Sequence, residues 1–373
     1  MFFIILLGVT LSINSYVFLR GWQLMPPSFI VRILYTVAFW GMTSVFFLRM
    51  YKGDVFSPSL SLLLSEVGFT WLTAVIYLAM FALVIDLLRI TNHFTGFFPL
   101  AVTTNPIVAA RLTGAAVVLT VSSLLVHGYY KFNNPQVTRL EINIEKPLQE
   151  NALRIVLISD IHLSSYINGE HLDKYVTMIN KEEPDLVLIA GDIADRNLKP
   201  LEEWDISERF KRIKSRYGVY AISGNHEFYG GEREKIYNYI RSSGINLLVD
   251  SVAMAAGGVQ IVGRDDRTNR NRLPLDQLME GVDHKLPVVL LDHQPFGLEE
   301  AQHNGVDLQL SGHTHNGQFW PGNLIVNAMY EIAYGYGRKG NTHYFVTSGI
   351  GLWGPKFRIG TVSEIVVIDM KNG

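Results

Sequence analysis

Two kinds of apolar stretch divide the chain into an N-terminal and a C-terminal part. Before about position 130, four long stretches approach or exceed the roughly 18 to 20 residues that a helix needs to cross a bilayer; they cover 2–19, 29–48, 68–88 and 107–126. After position 150, five short runs rich in Val, Ile and Leu lack polar alternation; they cover 153–158, 186–190, 219–222, 288–291 and 306–310. The pattern predicts an all-α four-helix transmembrane domain, followed by sheets whose strands are covered on both faces.

Helix-length amphipathic segments separate several of the short runs. They lie at 169–182, 202–215 and 232–243, and this alternation is typical of an α/β domain. Further β-type runs at 252–262 and 342–369 have no clear helix between them, which indicates sheets of mixed direction. Between 129 and 150 the chain turns polar and contains two turn-forming prolines, at 135 and 147. We therefore predict a membrane domain at 1–130, a linker at 131–150 and an α/β domain at 151–373.

Composition narrows the classes of protein to which the chain can belong. Its 373 residues are 48% hydrophobic and their mean hydropathy is +0.18, which is unusually apolar for a soluble protein. A net charge of −2 without a basic stripe argues against a nucleic-acid partner. The chain has no cysteine, which excludes disulfides, iron–sulfur clusters and thiolate zinc sites. The first stretch has no positively charged residue before it and no small-residue cleavage site after it. We therefore expect a transmembrane helix that is kept, not a signal peptide that is removed.

Basic residues beside the spans bear on orientation. The side that holds both termini carries Arg49, Lys52, Lys131 and Arg139, and the other side carries Arg20 and Arg89. If the side chains of Arg32 and Arg111 snorkel to the second side, each side has four basic residues. We expect a multi-pass protein of the bacterial plasma membrane with its α/β domain in the cytoplasm. Arg32, Asp86 and Arg111 are interpreted as anchors near span ends, the alternative being a transport path.

Each of the five short runs is followed directly by a polar cluster that can bind metal. The clusters are Asp160-Ile161-His162, Gly191-Asp192, Gly224-Asn225-His226-Glu227, Asp292-His293 and Gly312-His313-Thr314-His315. Ligands collect at the carboxyl ends of strands in open α/β sheets, so we expect the clusters to converge. Mixed nitrogen and oxygen ligands suit Mn²⁺, Fe or Zn²⁺. Two such ions roughly 3.5 to 4 Å apart can activate a water against a phosphorus centre, so the set predicts a phosphoester hydrolase.

These motifs, from about 153 to 365, resemble those of the calcineurin-like metallophosphoesterase family. The resemblance implies a four-layer αββα sandwich with two divalent metal ions between the sheets. The implied ligands are Asp160, His162 and His315 for the first ion, Asn225, His293 and His313 for the second, and Asp192 as the bridge. It further implies that His226 is catalytic, as proton donor to the leaving oxygen or as a transition-state stabiliser. Glu227 would either orient a histidine or stabilise its own loop.

Within the family, the phrases around these motifs resemble a bacterial membrane-associated branch that includes enzymes related to UDP-2,3-diacylglucosamine hydrolases. Two positions depart from that branch. Asn316 stands where glycine is usual, and Asp292 stands where a small residue is common. Neither departure removes a ligand, so we expect them to affect the shape of the pocket.

Residues outside the metal ligands have to select the substrate. Four arginines are candidates for gripping a second phosphate, namely Arg264, Arg267, Arg270 and Arg272. The alternative is a solvated loop in which they pair with Asp265 and Asp266. Aromatic residues that could form a rim at a bilayer surface, or else pack inside, are Phe319, Trp320, Tyr330, Tyr334, Tyr336 and Trp353. Arg358 is a further cation of the C-terminal part.

These observations leave three functional hypotheses. The preferred one is a membrane-embedded hydrolase of a phosphodiester or pyrophosphate bond, whose partners are the bilayer and a phosphate-ester substrate linked to a lipid or nucleotide-lipid. The second is a membrane-anchored phosphatase or nucleotidase for soluble phosphoesters. The third is a transporter or sensor with a regulatory metal-binding domain.

Overall fold

The computed structural model describes residues 2–52, 56–255 and 258–373, and this part of the chain forms two compact units. The first unit holds 1–129 with 354–356, and the second holds 130–353 with 357–373. Met1 and residues 53–55 of the predicted membrane domain lie outside the described residues, as do residues 256–257 of the α/β domain. The domain limits at 130 and 150 stay predictions.

Long apolar helices build the first unit. They are α1 (Phe2–Leu24), α2 (Phe29–Lys52), α3 (Pro58–Thr95), the short α4 (Leu100–Thr104) and α5 (Pro106–Asn133). The start of α3 is capped by the side chain of Ser57, which accepts a hydrogen bond from the Leu60 amide, and its end is marked by Gly96 with a φ of 63°. Both caps satisfy backbone groups that the helix leaves open.

Three helical segments among the described residues are long and apolar enough to cross a membrane. They are Phe29–Leu48, Ser59–Thr95 and Pro106–Asn133. The remaining predicted span, 2–19, lies in α1. Several side chains of α1 lie outside the described residues. Phe29, Leu100 and Val126 are 79%, 76% and 71% exposed, as expected of helices whose outer surface meets lipid.

Two six-stranded sheets of mixed direction build the second unit. The first has the order β1-β12-β2-β3-β4-β5 and the second has the order β10-β11-β9-β8-β7-β6. The strands are β1 (Gln136–Ile144), β2 (Ala152–Ile158), β3 (Leu186–Ala190), β4 (Val219–Ile222), β5 (Asn246–Leu248), β6 (Ser251–Met254), β7 (Gln260–Gly263), β8 (Val288–Leu291), β9 (Leu308–Ser311), β10 (Gly335–Lys339), β11 (Thr342–Val346) and β12 (Glu364–Asn372). The predicted linker 131–150 thus contributes β1, an edge strand parallel to β12.

The second unit also contains eight helices among its described residues. They are α6 (Gly169–Lys181), α7 (Lys199–Glu203), α8 (Ile206–Phe210), α9 (His226–Tyr229), α10 (Arg233–Ser242), α11 (Leu275–Met279), α12 (Leu298–His303) and α13 (Gly322–Met329). Of these, α6, α7, α8 and α10 pack on the first sheet and α11 and α12 on the second. The helix predicted at 202–215 is instead the pair α7 and α8, because Asp205 between them has a φ of 49°. The other two amphipathic segments form α6 and α10 as predicted.

The period of two along β2 shows how the layers are built. Ile155 and Leu157 join a core between the sheets, whereas Val156 and Ile158 join a core beneath the helices of the first sheet. All four are fully buried, so no polar position interrupts the run. A third core lies between the second sheet and α11 and α12. The predicted four-layer αββα sandwich is therefore confirmed, and membrane-type helices precede it.

Candidate metal centre

The five polar clusters meet at the carboxyl ends of the parallel strands. Among the described residues, three groups of side chains have ligand atoms within 4.8 Å of one another: Asp160, His162 and His315; Asp192, His293 and His313; and His162, Asp195 and His226. Backbone contacts hold the loops together, since the Asp160 amide donates to the Gly191 carbonyl at 3.0 Å and the Gly312 amide donates to the His293 carbonyl at 3.0 Å. Loops that follow different strands thus share one site.

Asp192 lies between the first two groups. Its Oδ2 is 3.7 Å from His162 Nε2 and 3.2 Å from His293 Nε2. Asn225, which completes the predicted set, has its Oδ1 2.8 Å from His313 Nδ1. The seven predicted ligands are therefore brought together, and a single carboxylate oxygen faces both groups.

The donor atoms fit positively charged ions. His162 Nε2 lies 3.2 Å from His315 Nε2, and Asp160 Oδ1 lies 3.4 Å from the same His315 atom. The His293 Nδ1 donates to the Ala190 carbonyl at 2.7 Å, so that Nε2 is the ring nitrogen that faces Asp192. This buried Nε2 has no hydrogen-bond partner among the described residues. Nitrogen and oxygen atoms that can only accept hydrogen bonds face one another in this buried site. Such an arrangement is stable when cations lie between these atoms.

Burial and local charge set the protonation of the ligands. Burial lowers the pKa of His162 to about 3 and of His313 to about 4, and it lowers the pKa of His315 well below its ordinary value. Neutral imidazoles with free lone pairs are the form that binds metal. Burial opposes the charge of His293, yet Asp192 and Asp160 raise its pKa well above the ordinary value. The carboxylates of Asp192 and Asp160 thus stabilise positive charge beside His293.

The backbone of the centre is strained. Asp160, His162, Asp192, His313 and His315 have φ between 50° and 70°, the left-handed region that L-residues rarely adopt. Strain of about 1 kcal/mol or more at each such residue persists where the surroundings impose it. The same backbone conformation explains why position 316 can hold asparagine where the bacterial membrane-associated branch usually has glycine. Asn316 has a φ of 48°, and asparagine is one of the few residues besides glycine that visits this region readily.

Close approach explains the glycine at 224. A Cβ placed there would lie 2.1 Å from Asp192 Oδ1 and 2.6 Å from the Asp192 amide. The loop after β4 can therefore reach the loop after β3 only without a side chain at this position. This contact brings Asn225 and His226 to the centre.

His226 belongs to a dyad that the sequence interpretation missed. Its Nδ1 is 2.7 Å from Asp195 Oδ1, and its amide donates to Asp192 Oδ1 at 2.9 Å. Burial lowers the pKa of His226, but the hydrogen bond to Asp195 and the charge of Asp192 outweigh burial and raise it. Asp195 follows Asp192 by three residues in the same loop, and that spacing was the only signal in the sequence.

Glu227 stabilises its loop. Its two carboxylate oxygens accept hydrogen bonds from the Ala194 and Gly224 amides, both at 2.8 Å. Burial and the nearby charge of Asp192 raise the pKa of Glu227 to about 8. Of the two roles expected for Glu227, loop stabilisation is the one that these contacts describe.

The four candidate substrate arginines divide into two pairs. Arg264 lies 3.2 Å from Asp292 Oδ2 and 2.8 Å from Glu300, and Arg272 lies 3.2 Å from Asp292 Oδ1. Asp292, the second departure from the branch, is thus the carboxylate that holds two arginines. Neither pairs with the carboxylate of Asp265 or Asp266 among the described contacts, contrary to the alternative.

The other two arginines are exposed. Arg267 lies over the Phe296 ring at 4.4 Å, and Arg270 forms no ion pair or hydrogen bond within the described part of the chain. A phosphate contact by any of the four arginines stays a prediction. Arg358 does not serve in that way, because it is fully buried and donates to the carbonyls of His315 and Ser348 at 2.9 and 2.7 Å.

The predicted aromatic rim is partly exposed. Trp320, Tyr336 and Trp353 are 46%, 47% and 50% exposed, whereas Tyr330 is buried. The Trp353 ring lies 6.2 Å from the His226 ring. The apolar side chains of α13, which begins five residues after Gly317, add Leu324, Ile325 and Met329 at 56%, 62% and 60% exposed.

Comparison with known families identifies the motif-bearing segment. Residues 153–317 match the family described as calcineurin-like phosphoesterase. An uncharacterized metallophosphoesterase of Campylobacter jejuni is 32% identical over 253 residues, which are 65% of this chain and 66% of the relative. A transmembrane protein with metallophosphoesterase domain from Danio rerio is 33% identical over 279 residues, which are 70% of this chain and 63% of the relative.

Other matches have lower identity. An uncharacterized metallophosphoesterase of Aquifex aeolicus is 29% identical, over 64% of this chain and 92% of the relative. A dimetal phosphatase from Danio rerio of known structure is 14% identical with a TM-score of 0.34, over 54% of this chain and 88% of that one. The chain spans slightly less than two thirds of the first two relatives.

Proposed function

We propose that the chain, whose residues 153–317 match the calcineurin-like phosphoesterase family and whose candidate metal ligands converge on Asp192, is a dinuclear-metal hydrolase. Its proposed reaction is the cleavage of a phosphodiester or pyrophosphate bond of a lipid-linked substrate at a membrane. A nucleotide-diphospho-lipid is the substrate class that we favour. The observation that carries hydrolysis is the single Asp192 oxygen facing both His162 and His293.

The proposed ligands divide between two sites. Asp160, His162 and His315 would hold one ion, Asn225, His293 and His313 would hold the other, and Asp192 would contact both. When bound, the two cations would supply Lewis acidity to the phosphorus centre and lower the pKa of a water. The identity of the metals is proposed from the mixed nitrogen and oxygen donor set as Mn²⁺, Fe or Zn²⁺, since the chain has no cysteine to supply a thiolate.

His226 is the proposed proton donor. Asp195 accepts from its Nδ1 and thereby leaves Nε2 to give a proton to the leaving oxygen. The pKa of His226, raised by Asp195, keeps the imidazole protonated to a higher pH than an isolated histidine. Its side chain is 8% exposed, so it can reach substrate from the edge of the buried centre.

The exposed apolar surface of α13 supports a lipid substrate. We define this patch as Trp320, Leu324, Ile325 and Met329. Residues 319–330 include no charged side chain, and the segment follows the His313–His315 motif directly. An uncharged apolar patch at the rim of a hydrolytic centre, in a chain with membrane-type helices, is suited to contact lipid.

The membrane arrangement that we propose has four spans, α1, α2, α3 and α5, with both ends of the chain in the cytoplasm. Three of these helices have the length and composition to cross a bilayer. The proposed membrane domain is 1–130 and the proposed catalytic domain is 151–373. Cysteine labelling from either side of intact cells, using this cysteine-free chain with one cysteine added at a time, tests the orientation.

A substrate comparison tests the proposal. The detergent-purified full chain is incubated with Mn²⁺ and either soluble nucleotides or nucleotide-diphospho-lipids, and phosphate-bond cleavage is measured. We expect faster cleavage of the lipid-linked compounds, and no cleavage by Asp192→Asn. Turnover of soluble esters alone would instead identify a membrane-anchored phosphatase. A flux or signal that survives Asp192→Asn would identify a transporter or sensor.

A further inference from the structure

A cavity of about 1370 Å³ lies within the first unit, among α1, α2, α3, the short α4 and the first half of α5. Its wall is mostly apolar and includes Val17, Phe39, Trp71 and Leu78. The volume exceeds the roughly 300 to 1,000 Å³ of sites for drug-sized ligands. The cavity therefore has room for a ligand with long apolar chains.

Close contacts between α5 and the end of α1 lie in the wall of the cavity. A Cβ on Gly114 would lie 2.4 Å from Leu24 Cδ1, and Arg111 Nε donates to the Leu24 carbonyl at 3.2 Å. Both contacts involve the last residue of α1. Beside this contact α5 presents small residues such as Ala110 and Ala115 to the cavity, and Val117, Val118 and Leu119 continue its apolar wall.

Three arginines and one acid also line this cavity, namely Arg20, Arg89, Arg111 and Asp86. Asp86 is neutralised by Arg20, whose guanidinium lies 2.6 Å away, and Tyr16 donates a further hydrogen bond to Asp86 at 2.6 Å. The interpretation of Asp86 as an anchor near a span end stays a prediction, and the structure adds a partner for its charge. Asp86 is paired across two helices.

Arg89 and Arg111 are left with uncompensated charge. Arg111 donates only to a backbone carbonyl, and Arg89 has no ion-pair or hydrogen-bond partner in the part of the chain that is described. Asp86 and Arg89 are three residues apart on α3 and so share a face of the helix. Both arginines are exposed and lie near the ends of predicted spans, so they offer free guanidinium groups at one end of the apolar cavity.

We propose that this cavity binds an anionic membrane phospholipid, with its phosphate head group at Arg89 and Arg111 and its acyl chains against the apolar wall. Guanidinium groups bind phosphate with charge-assisted hydrogen bonds, and basic pockets between membrane helices bind anionic head groups. A free anion would leave the large apolar wall unused, so charge and shape together select an amphiphile. The site is independent of the proposed hydrolysis, since it shares no residue with the metal centre.

Lipid binding to the full chain tests the proposal. The protein is purified in a neutral detergent and titrated with phosphatidylglycerol, phosphatidylcholine or inorganic phosphate, and bound lipid is counted by native mass spectrometry. We expect phosphatidylglycerol to bind about tenfold more tightly than phosphatidylcholine. The double variant Arg89→Gln, Arg111→Gln should remove this preference, and the double lysine variant should retain part of it because the charge is kept.

Two further variants separate charge from shape. Arg32→Gln is the matched control, since Arg32 lies over the Trp22 ring and does not line the cavity; it should leave lipid binding unchanged. Ala82→Phe fills the apolar wall and should weaken both lipids about tenfold with all arginines present. Equal loss in Arg32→Gln and the double glutamine variant, or equal binding of the two lipids by the wild type, overturns the proposal.

Activity is measured on the same samples with a soluble phosphoester and Mn²⁺. The cavity variants should keep this activity within about twofold, because none of them touches the metal centre. Lipid selectivity without hydrolysis would contradict only the proposed function. Hydrolysis without lipid selectivity would contradict only the lipid site.

Discussion

His226 Nδ1 lies 2.7 Å from Asp195 Oδ1, at the edge of the two metal-binding groups. The carboxylate fixes the tautomer of the imidazole and its orientation, so that Nε2 is the nitrogen left to act on substrate. The pair joins the loop after β3 to the start of α9. Asp195 is therefore a positioning residue for the proposed proton donor.

Replacement of Asp195 by Asn should lower kcat about a hundredfold with a soluble phosphoester, since general acid catalysis contributes about that much or more. The pKa of His226 is raised mainly by Asp195, so the variant should lose a proton from His226 at lower pH. A proton donor works below its pKa, and the alkaline limb of the pH profile should therefore move to lower pH. Steady-state rates across pH, with metal content measured in parallel, check this.

The control for that experiment is Glu208→Gln, an exposed acid that pairs with Lys211 on the surface. It should leave both the rate and the pH profile unchanged. A normal alkaline limb in Asp195→Asn would exclude the proposed role of the dyad.

Replacement of Asp192 by Asn should disturb both metal sites at once. Loss of residues that only support metal ligands costs 10- to 100-fold, so loss of the shared ligand should lower activity by more than about a hundredfold. Elemental analysis should find fewer than two metals per chain. His313→Ala offers the comparison, because it belongs to one group only and should leave one metal bound. Two tightly bound metals in Asp192→Asn would contradict the shared-carboxylate arrangement.

Arg358 should matter for stability rather than for substrate binding. It donates to the carbonyls of His315, Ser348 and Gly351 at 2.7 to 2.9 Å, and burial lowers its pKa to about 10. Replacement by Met leaves these buried acceptors without a donor and should cost about 3 kcal/mol. The thermal midpoint of the α/β domain should fall by roughly 6 to 12 °C.

Scanning calorimetry of the metal-loaded protein measures that shift. The matched variant is Arg241→Met, which removes an exposed arginine from α10 and should change the midpoint by less than about 2 °C. If the midpoint of Arg358→Met also changed by less than about 2 °C, the carbonyls would have found other hydrogen-bond donors.

The α13 patch should contact lipid. The chain has no cysteine, so a single Ile325→Cys can carry a fluorescent label without background. In nanodiscs that contain brominated lipid, its fluorescence should be quenched at least about twofold, because an apolar residue at a bilayer interface lies against the acyl chains. Met254→Cys is the control on the edge strand β6, where Met254 is 54% exposed against 62% for Ile325.

A second change tests the consequence for activity. Ile325→Glu should lower cleavage of a lipid-linked substrate about tenfold, since charge at the bilayer surface costs more than 1 kcal/mol, and should spare soluble esters. Equal quenching at both cysteine positions, or equal loss with both substrates, would argue against a lipid-facing role of the patch.

Local sequence patterns were enough to predict five of the strands and the side chains that meet at the candidate metal centre. Runs such as 153–158 carry no polar position, and this local pattern is enough to predict a strand that is buried on both faces. The spacing of His313 and His315, two residues apart after a strand, likewise indicates metal binding from the local sequence. Parallel strand ends share an edge, so convergence of the clusters also followed from the sequence.

Which distant residues become partners depends on how the chain packs in three dimensions. Asp195 and His226 are 31 positions apart, and Arg20 and Asp86 are separated by two helix connections. Nothing in the local pattern distinguishes Asp195 from a surface acid or Asp86 from an anchor, because the free energy of such a contact depends on burial and geometry that packing creates. The cavity of the first unit has the same origin, since its space arises where helices far apart in sequence fail to close.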